Sequence, residues 1–544
     1  MALTGGFQIT IGAVRISSQE WQRPALVAAV SLVLYVARYR QHLRDDSRVL
    51  THLRRPEVLA VLCAVAACAV GLWWGTFIGS GPDASGYVSQ ADMWRRGALT
   101  MPAPDWARDA PWTNAVWSSA PVGYRPRAAT DTLVPVYSAG LPLAMAAFQR
   151  VAGSSAVFLV VPLFGAAAVW ATFLLGRILA GGWAGVVAAA LLLSSPTFLW
   201  FVIQPMSDVP AAACWAAALA FALRGRPRDR IAAGAATAAA VMLRPNLAPL
   251  GFIVALLLAT GGSGGLRPMA RFAFAAAPGP LAIGALNWYW HGSTIQSGYC
   301  TFGELYVIEH VRPNLHRYLA WVSQSQTSLF FAGLAAPLVL RSAPISRARA
   351  VLLMIGFPLA VLALYLPYLV FDLWQYARFL LPAFPVLLAG VGTVLVRSAA
   401  RLRHAVTAAA AVSLVTAAVA LHGWSFAAEE GFFEYARHEQ RFARAVFFAA
   451  GLPRNAILVS NAYSGTLRFY SGRDVLRWEV VSREHLDDAL GYLRGKGHPL
   501  YFVGDAFEVE EFKGRFPGTR TAGTLDGRLV TNSGGFVVYD LTLP

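Results

Sequence analysis

Charge is scarce in this sequence, and acidic charge is scarcer still. Asp, Glu, Lys and Arg together make up 14% of 544 residues, with 29 acids against 45 bases. A chain that is 56% hydrophobic, with a mean hydropathy of +0.50, is not an ordinary soluble protein. Cysteine is nearly absent, and Cys63, Cys68, Cys214 and Cys300 fit neither a disulfide framework nor a zinc site. Three of them fall inside apolar runs, where packing explains them. The net charge of +16 would suit nucleic acid, yet no basic stripe with interleaved aromatics appears, so nucleic acid is excluded as a partner. No small-residue cleavage site follows the apolar run 24–37, which argues against a removable signal peptide. That run is read as a short extra span, an interfacial helix or an over-extended reading frame.

Long apolar runs are what the chain has in abundance. Crossing a hydrocarbon core of ~30 Å takes roughly 20 predominantly apolar residues per helix. About eleven such runs follow from Glu57 onward, several of them short, and arginines cluster between them as in cytoplasmic loops. Residues 38–55 and the segment Arg224-Gly-Arg226-Pro-Arg228-Asp-Arg230 are the clearest cytoplasmic tags. Alternating the spans from these tags divides the chain into three parts. Residues 1–56 form an N-terminal segment, 57–424 a transmembrane domain with a first outer loop at 79–154, and 425–544 an extracytoplasmic domain. In that last part Ile457–Ser460, Leu500–Val503 and Phe536–Tyr539 read as strands, and 433–450 and 483–494 as amphipathic helices. Alternating strands and helices predict a small α/β domain. It contains no metal-ligand cluster, Gly-rich phosphate loop or nucleophile elbow.

The stretch just beyond the first span has the marks of a complete short helix. Pro82 suits the first turn, Asp83 complements the helix dipole, Arg95 and Arg96 close the last turn, and Gly97 can serve as a left-handed cap. Asp83, Tyr87, Gln90 and Trp94 would share one face. The Trp- and Pro-rich loop after it (Trp106, Trp112, Trp117, Pro121, Pro126) reads as a folded interfacial lid, and 136–150 as a helix against the membrane surface. The topology brings Asp83, Asp208, Arg244 and Arg378 to the same outer side. Ionisable groups at membrane depth are costly and tend to mark function. Asp208 has the alternative of capping its own helix, and Arg244 and Arg378 that of snorkelling to headgroups.

Two carboxylates and two guanidiniums at an outer membrane surface suit transfer from a lipid-phosphate-linked sugar. The phosphate leaves as an anion and needs no proton, and arginines can hold it through paired hydrogen bonds. An ionised carboxylate can take the proton of the acceptor hydroxyl. Asp83 is the candidate base, with Asp208 in support. His310, His316, Glu304 and Glu309 lie close together in an outer loop, but a solvated loop explains them better than a metal site.

Several motifs together resemble the GT-C superfamily of membrane glycosyltransferases, and in particular protein O-mannosyltransferases, aminoarabinose transferases and rhizobial lipopolysaccharide-core glycosyltransferases. They are Asp83 to Gly97, Tyr137-Ser-Ala-Gly-Leu-Pro142, Ser207-Asp208-Val-Pro210, Arg244-Pro245, Asn287 to Tyr299 and Arg378-Phe-Leu-Leu-Pro382. The resemblance covers about residues 57–400. It implies a polytopic α-helical membrane protein of about 11–12 transmembrane helices with a C-terminal α/β domain. It also implies a polyprenyl-phosphate sugar donor, inversion at the anomeric carbon, and the first-loop Asp as base. Many relatives carry Asp-Glu where this chain has Asp83-Ala84, and Lys-Pro-Pro or His-Pro-Pro where it has Tyr137-Ser-Ala-Gly. With that Lys missing, Arg244 and Arg378 are left as phosphate ligands, joined by Arg125, Arg127 and Tyr87, with Tyr299 in support. The expected partners are the lipid-linked donor, membrane lipid and a glycan, lipid or protein acceptor. No cofactor is called for, and the expected location is the cytoplasmic membrane with the active site outside. The competing readings are a transporter or flippase of lipid-linked sugars and a catalytically lapsed scaffold. The charges gather at one surface and no internal repeat appears, which disfavours transport.

Overall fold

The computed structural model describes residues 7–11, 14–18, 55–128, 130–261, 266–299, 301–340 and 345–543. The run 24–37, the arginines of 38–54 and Cys300 lie outside the described residues.

Six helices are long and apolar enough to cross a bilayer: Pro56–Trp73, Ser154–Ala180, Met269–His291, Arg347–Tyr365, Trp374–Ala399 and the long helix that begins at Ala405. Gly182–Leu193 and Pro196–Val202, bent by 64° at Ser194-Ser195, make a seventh. Local sequence accounts for some of their ends. Pro56 and Pro196 occupy first turns, and Gly181, at φ +97°, separates one span from the next. Asp208–Arg224 and Pro227–Leu243 have 17 residues each, about 25 Å at 1.5 Å per residue, the lower limit for spanning. The remaining apolar runs form shorter helices at Pro245–Ala259 and Ser328–Val339. In the second case the cause is local. Helix Val311–Gln326 stops at Thr327, a non-glycine residue at φ +65°, and a 3-10 segment follows. The chain is thus a multi-pass membrane protein whose helices differ widely in length.

Helix Asp208–Arg224 is the hub of the bundle. Val209, Ala211, Trp215, Ala216, Ala218, Leu219 and Ala222 are all fully buried, and the helix packs against Val157–Ala180, Pro227–Leu243 and Trp374–Ala383. Its many alanines make that close packing possible.

The last apolar helix, Ala405–Glu429, leads through Gly431 into Phe432–Ala450 and then into a five-stranded sheet. The strand order is Asp474–Leu476, Ile457–Val459, Leu500–Gly504, Phe536–Asp540, Leu529–Ser533. The first three are parallel, and the last two antiparallel to their neighbours. Both faces of this sheet are covered, and the first loop supplies part of the cover. Trp106 and Trp112 join a core with Ile457, Leu476, Phe502 and Phe512, while Ile78 joins Phe442, Tyr463 and Val538 on the other face. The loop expected to be a lid is therefore built into the C-terminal domain, because its tryptophans bury there rather than in lipid headgroups. Only Trp117 of the three stays exposed. The rest of the loop folds as a three-stranded sheet of Met101–Pro102, Thr132–Pro135 and Tyr124–Pro126.

Candidate active site

Helix Gly81–Arg95 carries Asp83 in its first turn, with Pro82 beside it and Gly97 at φ +80° just beyond its end. The cause of its close seating is a pair of glycines. A Cβ on Gly86 would lie 2.3 Å from the Tyr137 ring, and one on Gly140 would lie 2.5 Å from the backbone of Met242. Ser138 Oγ donates to the Met242 carbonyl at 2.5 Å. The sequence Tyr137-Ser-Ala-Gly140 thus fastens the Asp83 helix on one side and the approach to Arg244 on the other.

Four charged side chains predicted from sequence form one continuous row. Asp83 Oδ2 accepts from Arg378 Nη2 at 3.1 Å, Arg378 Nη1 stands 3.9 Å from Asp208 Oδ2, and Asp208 Oδ1 accepts from Arg244 Nη2 at 2.6 Å. Exposure is lowest at Asp208, inside the row, and highest at Asp83. The Asp208 side chain is 0% exposed, Arg244 12%, Arg378 14% and Asp83 35%. Two positive and two negative charges cancel, which is what permits the cluster to be buried. Only its Asp83 end opens outward.

The two arginines are held very differently. Arg244 uses three of its donors: Nη2 on Asp208, Nη1 on Tyr365 Oη at 2.9 Å, and Nε on Ser207 Oγ at 3.4 Å. Among the described residues Arg378 has a single hydrogen bond, to Asp83, and otherwise rests against the rings of Phe201, Tyr376 and Phe379 at 5.2–5.4 Å. A guanidinium has five N–H donors. Arg378 therefore keeps free capacity for an incoming anion, whereas Arg244 serves as a prop for Asp208. Neither arginine snorkels away from the bundle. Nor does Asp208 cap its helix: Ser207 is the N-cap residue, and no side-chain cap bond forms.

Tyr87 donates its O–H to Ser207 Oγ at 3.0 Å, and its ring lies 5.0 Å from that of Tyr137. Burial, then the charge of Asp83, pushes the phenols of Tyr87 and Tyr137 well above their usual range, so both stay protonated. Tyr299 stacks edge-on against Tyr137 at 5.9 Å, which places it one ring further out. Arg125 and Arg127 are not in the row. Arg125 donates to the carbonyls of Gly298 and Tyr299 at 3.3 and 3.2 Å, and Arg127 covers Tyr289 at 4.3 Å. Arg125 ties the first loop to the loop that carries Tyr299, and Arg127 ties it to the helix Pro278–His291 just before that loop.

Glu304 closes a capping box with Thr301, and His310 Nδ1 meets the Pro367 carbonyl at 3.2 Å. Among the described residues no group of three or more His, Cys, Asp or Glu is arranged to hold a metal ion. Sequence reasoning did not single out Tyr365, whose phenol braces Arg244. Its only signal was a hydroxyl at the end of an otherwise apolar run.

Comparison with known proteins bears on this arrangement. Residues 135–290, which include Tyr137, Asp208 and Arg244, match a family described as Dolichyl-phosphate-mannose-protein mannosyltransferase. Comparison with curated proteins gave no match. Among solved structures, ArnT from Cupriavidus metallidurans in the apo state is similar at a TM-score of 0.53 and 16% identity, over 89% of this chain and 97% of that one. The same protein bound to undecaprenyl phosphate is similar at 0.51 and 16%, over 88% and 97%. The Archaeoglobus fulgidus oligosaccharyltransferase, tethered with an acceptor peptide containing the NVT sequon, is similar at 0.51 and 13%, over 88% and 74%. The chain shares the fold of these two proteins.

Proposed function

We propose that this GT-C-fold chain is an inverting glycosyltransferase that moves a sugar from a polyprenyl-phosphate donor to an acceptor hydroxyl outside the cytoplasm. The observation that carries the reading is the continuous row Arg244, Asp208, Arg378, Asp83, fully buried at Asp208 and most open at Asp83. Undecaprenyl phosphate bound to ArnT and the acceptor peptide on the archaeal enzyme support the two substrate kinds.

The chemistry divides among the chain's own residues. Arg378 receives the donor phosphate through its uncommitted N–H groups. Asp208, propped by Arg244 and Tyr365, keeps Arg378 from turning away. Asp83 accepts the proton of the acceptor hydroxyl as its oxygen attacks the anomeric carbon. The bond from that carbon to the phosphate oxygen breaks on the opposite face, and the electron pair leaves with the lipid phosphate. The configuration inverts, and Arg378 stabilises the departing charge. The positive-inside pattern of the sequence supports a location of this site and residues 425–544 on the extracytoplasmic face of the cytoplasmic membrane.

The test supplies purified protein with polyprenyl-phosphate sugars and candidate glycan, lipid and protein acceptors, and follows release of polyprenyl phosphate with sugar transfer. Transfer to an acceptor, with the anomeric configuration reversed, is the expected result. Donor binding without transfer to any acceptor, or transport of the lipid between leaflets, would reject it.

A further inference from the structure

The chain enters the Asp83 helix through Gly79-Ser80-Gly81, two glycines around a serine. Ser80 is the N-cap residue but makes no side-chain cap bond, and Gly81 stands at φ +65°. Such a segment has little local reason to hold one direction. What fixes it comes from about 390 residues further along. Thr466 Oγ1 donates to the Gly79 carbonyl at 2.8 Å, and the Gly79 N–H donates to Tyr470 Oη at 3.0 Å. Both backbone groups of one glycine are thus taken by two side chains four residues apart on one helical face, in Ser464–Ser471. The same helix touches the turns that follow. Ser464 Oγ accepts from the Val122 N–H at 3.0 Å, and a Cβ on Gly465 would lie 2.3 Å from Ser85 Oγ.

We infer that the C-terminal domain is the positioning device of the Asp83 helix, with Thr466 and Tyr470 as the positioning residues that clamp Gly79. Neither residue touches the charged row. They act through the helix start, setting where the Asp83 carboxylate stands relative to Arg378. This rests on the reading of Asp83 as the base only in its consequence for turnover; the clamp itself is a matter of backbone order.

The experiment therefore has two readouts on the full chain in detergent. Hydrogen–deuterium exchange reports the peptide spanning residues 78–90 in wild type, Tyr470→Phe, Thr466→Val, the double variant and Thr466→Ser. Loss of both hydrogen bonds speeds local exchange by roughly tenfold or more, while peptides from the sheet strands keep their protection. Thr466→Ser, which retains the hydroxyl, restores most of the protection lost in Thr466→Val. Transfer assays on the same variants show kcat falling in step with lost protection, while affinity for undecaprenyl phosphate stays within about twofold, a change of under ~0.5 kcal/mol. Unchanged exchange in the double variant overturns the inference. So does faster exchange throughout the C-terminal domain, which would make Thr466 and Tyr470 stabilisers of that domain alone. Faster local exchange with wild-type kcat also overturns the positioning role. A wild-type protein that transfers no sugar refutes the enzyme reading instead, and exchange then still decides the clamp.

Discussion

Replacing Asp83 with Asn is expected to move transfer and lipid-phosphate binding in opposite directions. The substitution keeps shape and hydrogen bonding but removes the proton acceptor, so transfer should fall by the ~10²–10⁴-fold typical of a lost acid–base group. The effect on binding follows from the row. Asp83 Oδ2 sits 3.1 Å from Arg378 Nη2, on the arginine with the more free capacity of the two, and so competes with an incoming phosphate. Asp83 is 35% exposed, and its grip on Arg378 is screened accordingly. A contact of that kind contributes roughly 0.2–1 kcal/mol. Removing the competing charge should therefore tighten binding of undecaprenyl phosphate by about 1.4- to 5-fold. The assay is equilibrium binding of undecaprenyl phosphate to purified wild type and Asp83→Asn, with sugar transfer measured in parallel. Tenfold weaker binding would mean that Asp83 helps to hold the phosphate, and the competition argument fails. Wild-type transfer by the variant would mean that the base is another residue.

Other expectations separate the roles along the row and fix its side of the membrane. Arg378→Ala should weaken undecaprenyl phosphate binding by about ten- to a hundredfold, from the loss of roughly 1.5–3 kcal/mol of charge-assisted bonding, and Lys should restore it only in part. Arg244→Ala should instead act on stability, by about 3–5 kcal/mol, because it leaves Asp208 charged and buried without its 2.6 Å partner; thermal unfolding of the two variants distinguishes them. In a cysteine-free background, an impermeant thiol reagent applied from outside should label Glu510→Cys and leave Arg228→Cys untouched, and the reverse would invert the proposed topology. Glu508, buried beside Trp478 and Asn461, has its carboxyl pushed up to about 7 by burial, with Asp505 adding to it, from an ordinary 4.5. Between those two values the folded state holds more protons than the unfolded one, so stability should fall as pH rises through that window and level off above it, by at most about 3 kcal/mol. Glu508→Gln should flatten that slope, as read by melting temperatures at pH 5 and pH 8.

The parts of the fold that could be read from sequence are those whose causes are local. Pro82, Asp83, Arg95 and Gly97 bound a helix that runs from Gly81 to Arg95, because caps and dipole act within a turn. Asp83, Asp208, Arg244 and Arg378 stood out because ionisable residues are rare in so apolar a chain. Who pairs with whom was not legible, since the row joins helices as far apart in sequence as Asp83 and Arg378. The division of labour between the arginines depends on Tyr365, an ordinary aromatic in an apolar run. Strands Asp474–Leu476 and Leu529–Ser533 escaped notice because both lie at sheet edges, the first only three residues long and the second mostly exposed. Arg125 and Arg127 carried the same chemistry on paper as Arg378, yet the loop geometry directs them to carbonyls and a ring instead.

The seating of the first loop in the C-terminal core has a consequence for how the protein is made. Trp106 donates to Asp474 from 368 residues away, and strand Phe536–Asp540 closes the same core almost at the end of the chain. At ~5–20 residues per second, on the order of 20–70 s separate the emergence of the loop from that of its partners. Through that interval Gly79 lacks Thr466 and Tyr470, and the tryptophans have only the membrane interface to shelter in. A nascent or truncated chain would then hold all four charged residues and still lack an ordered Asp83 helix. On the proposed reading of Asp83 as the base, the chain gains a working carboxylate only once its C-terminal domain has emerged and folded, and a copy truncated before Thr466 would transfer no sugar.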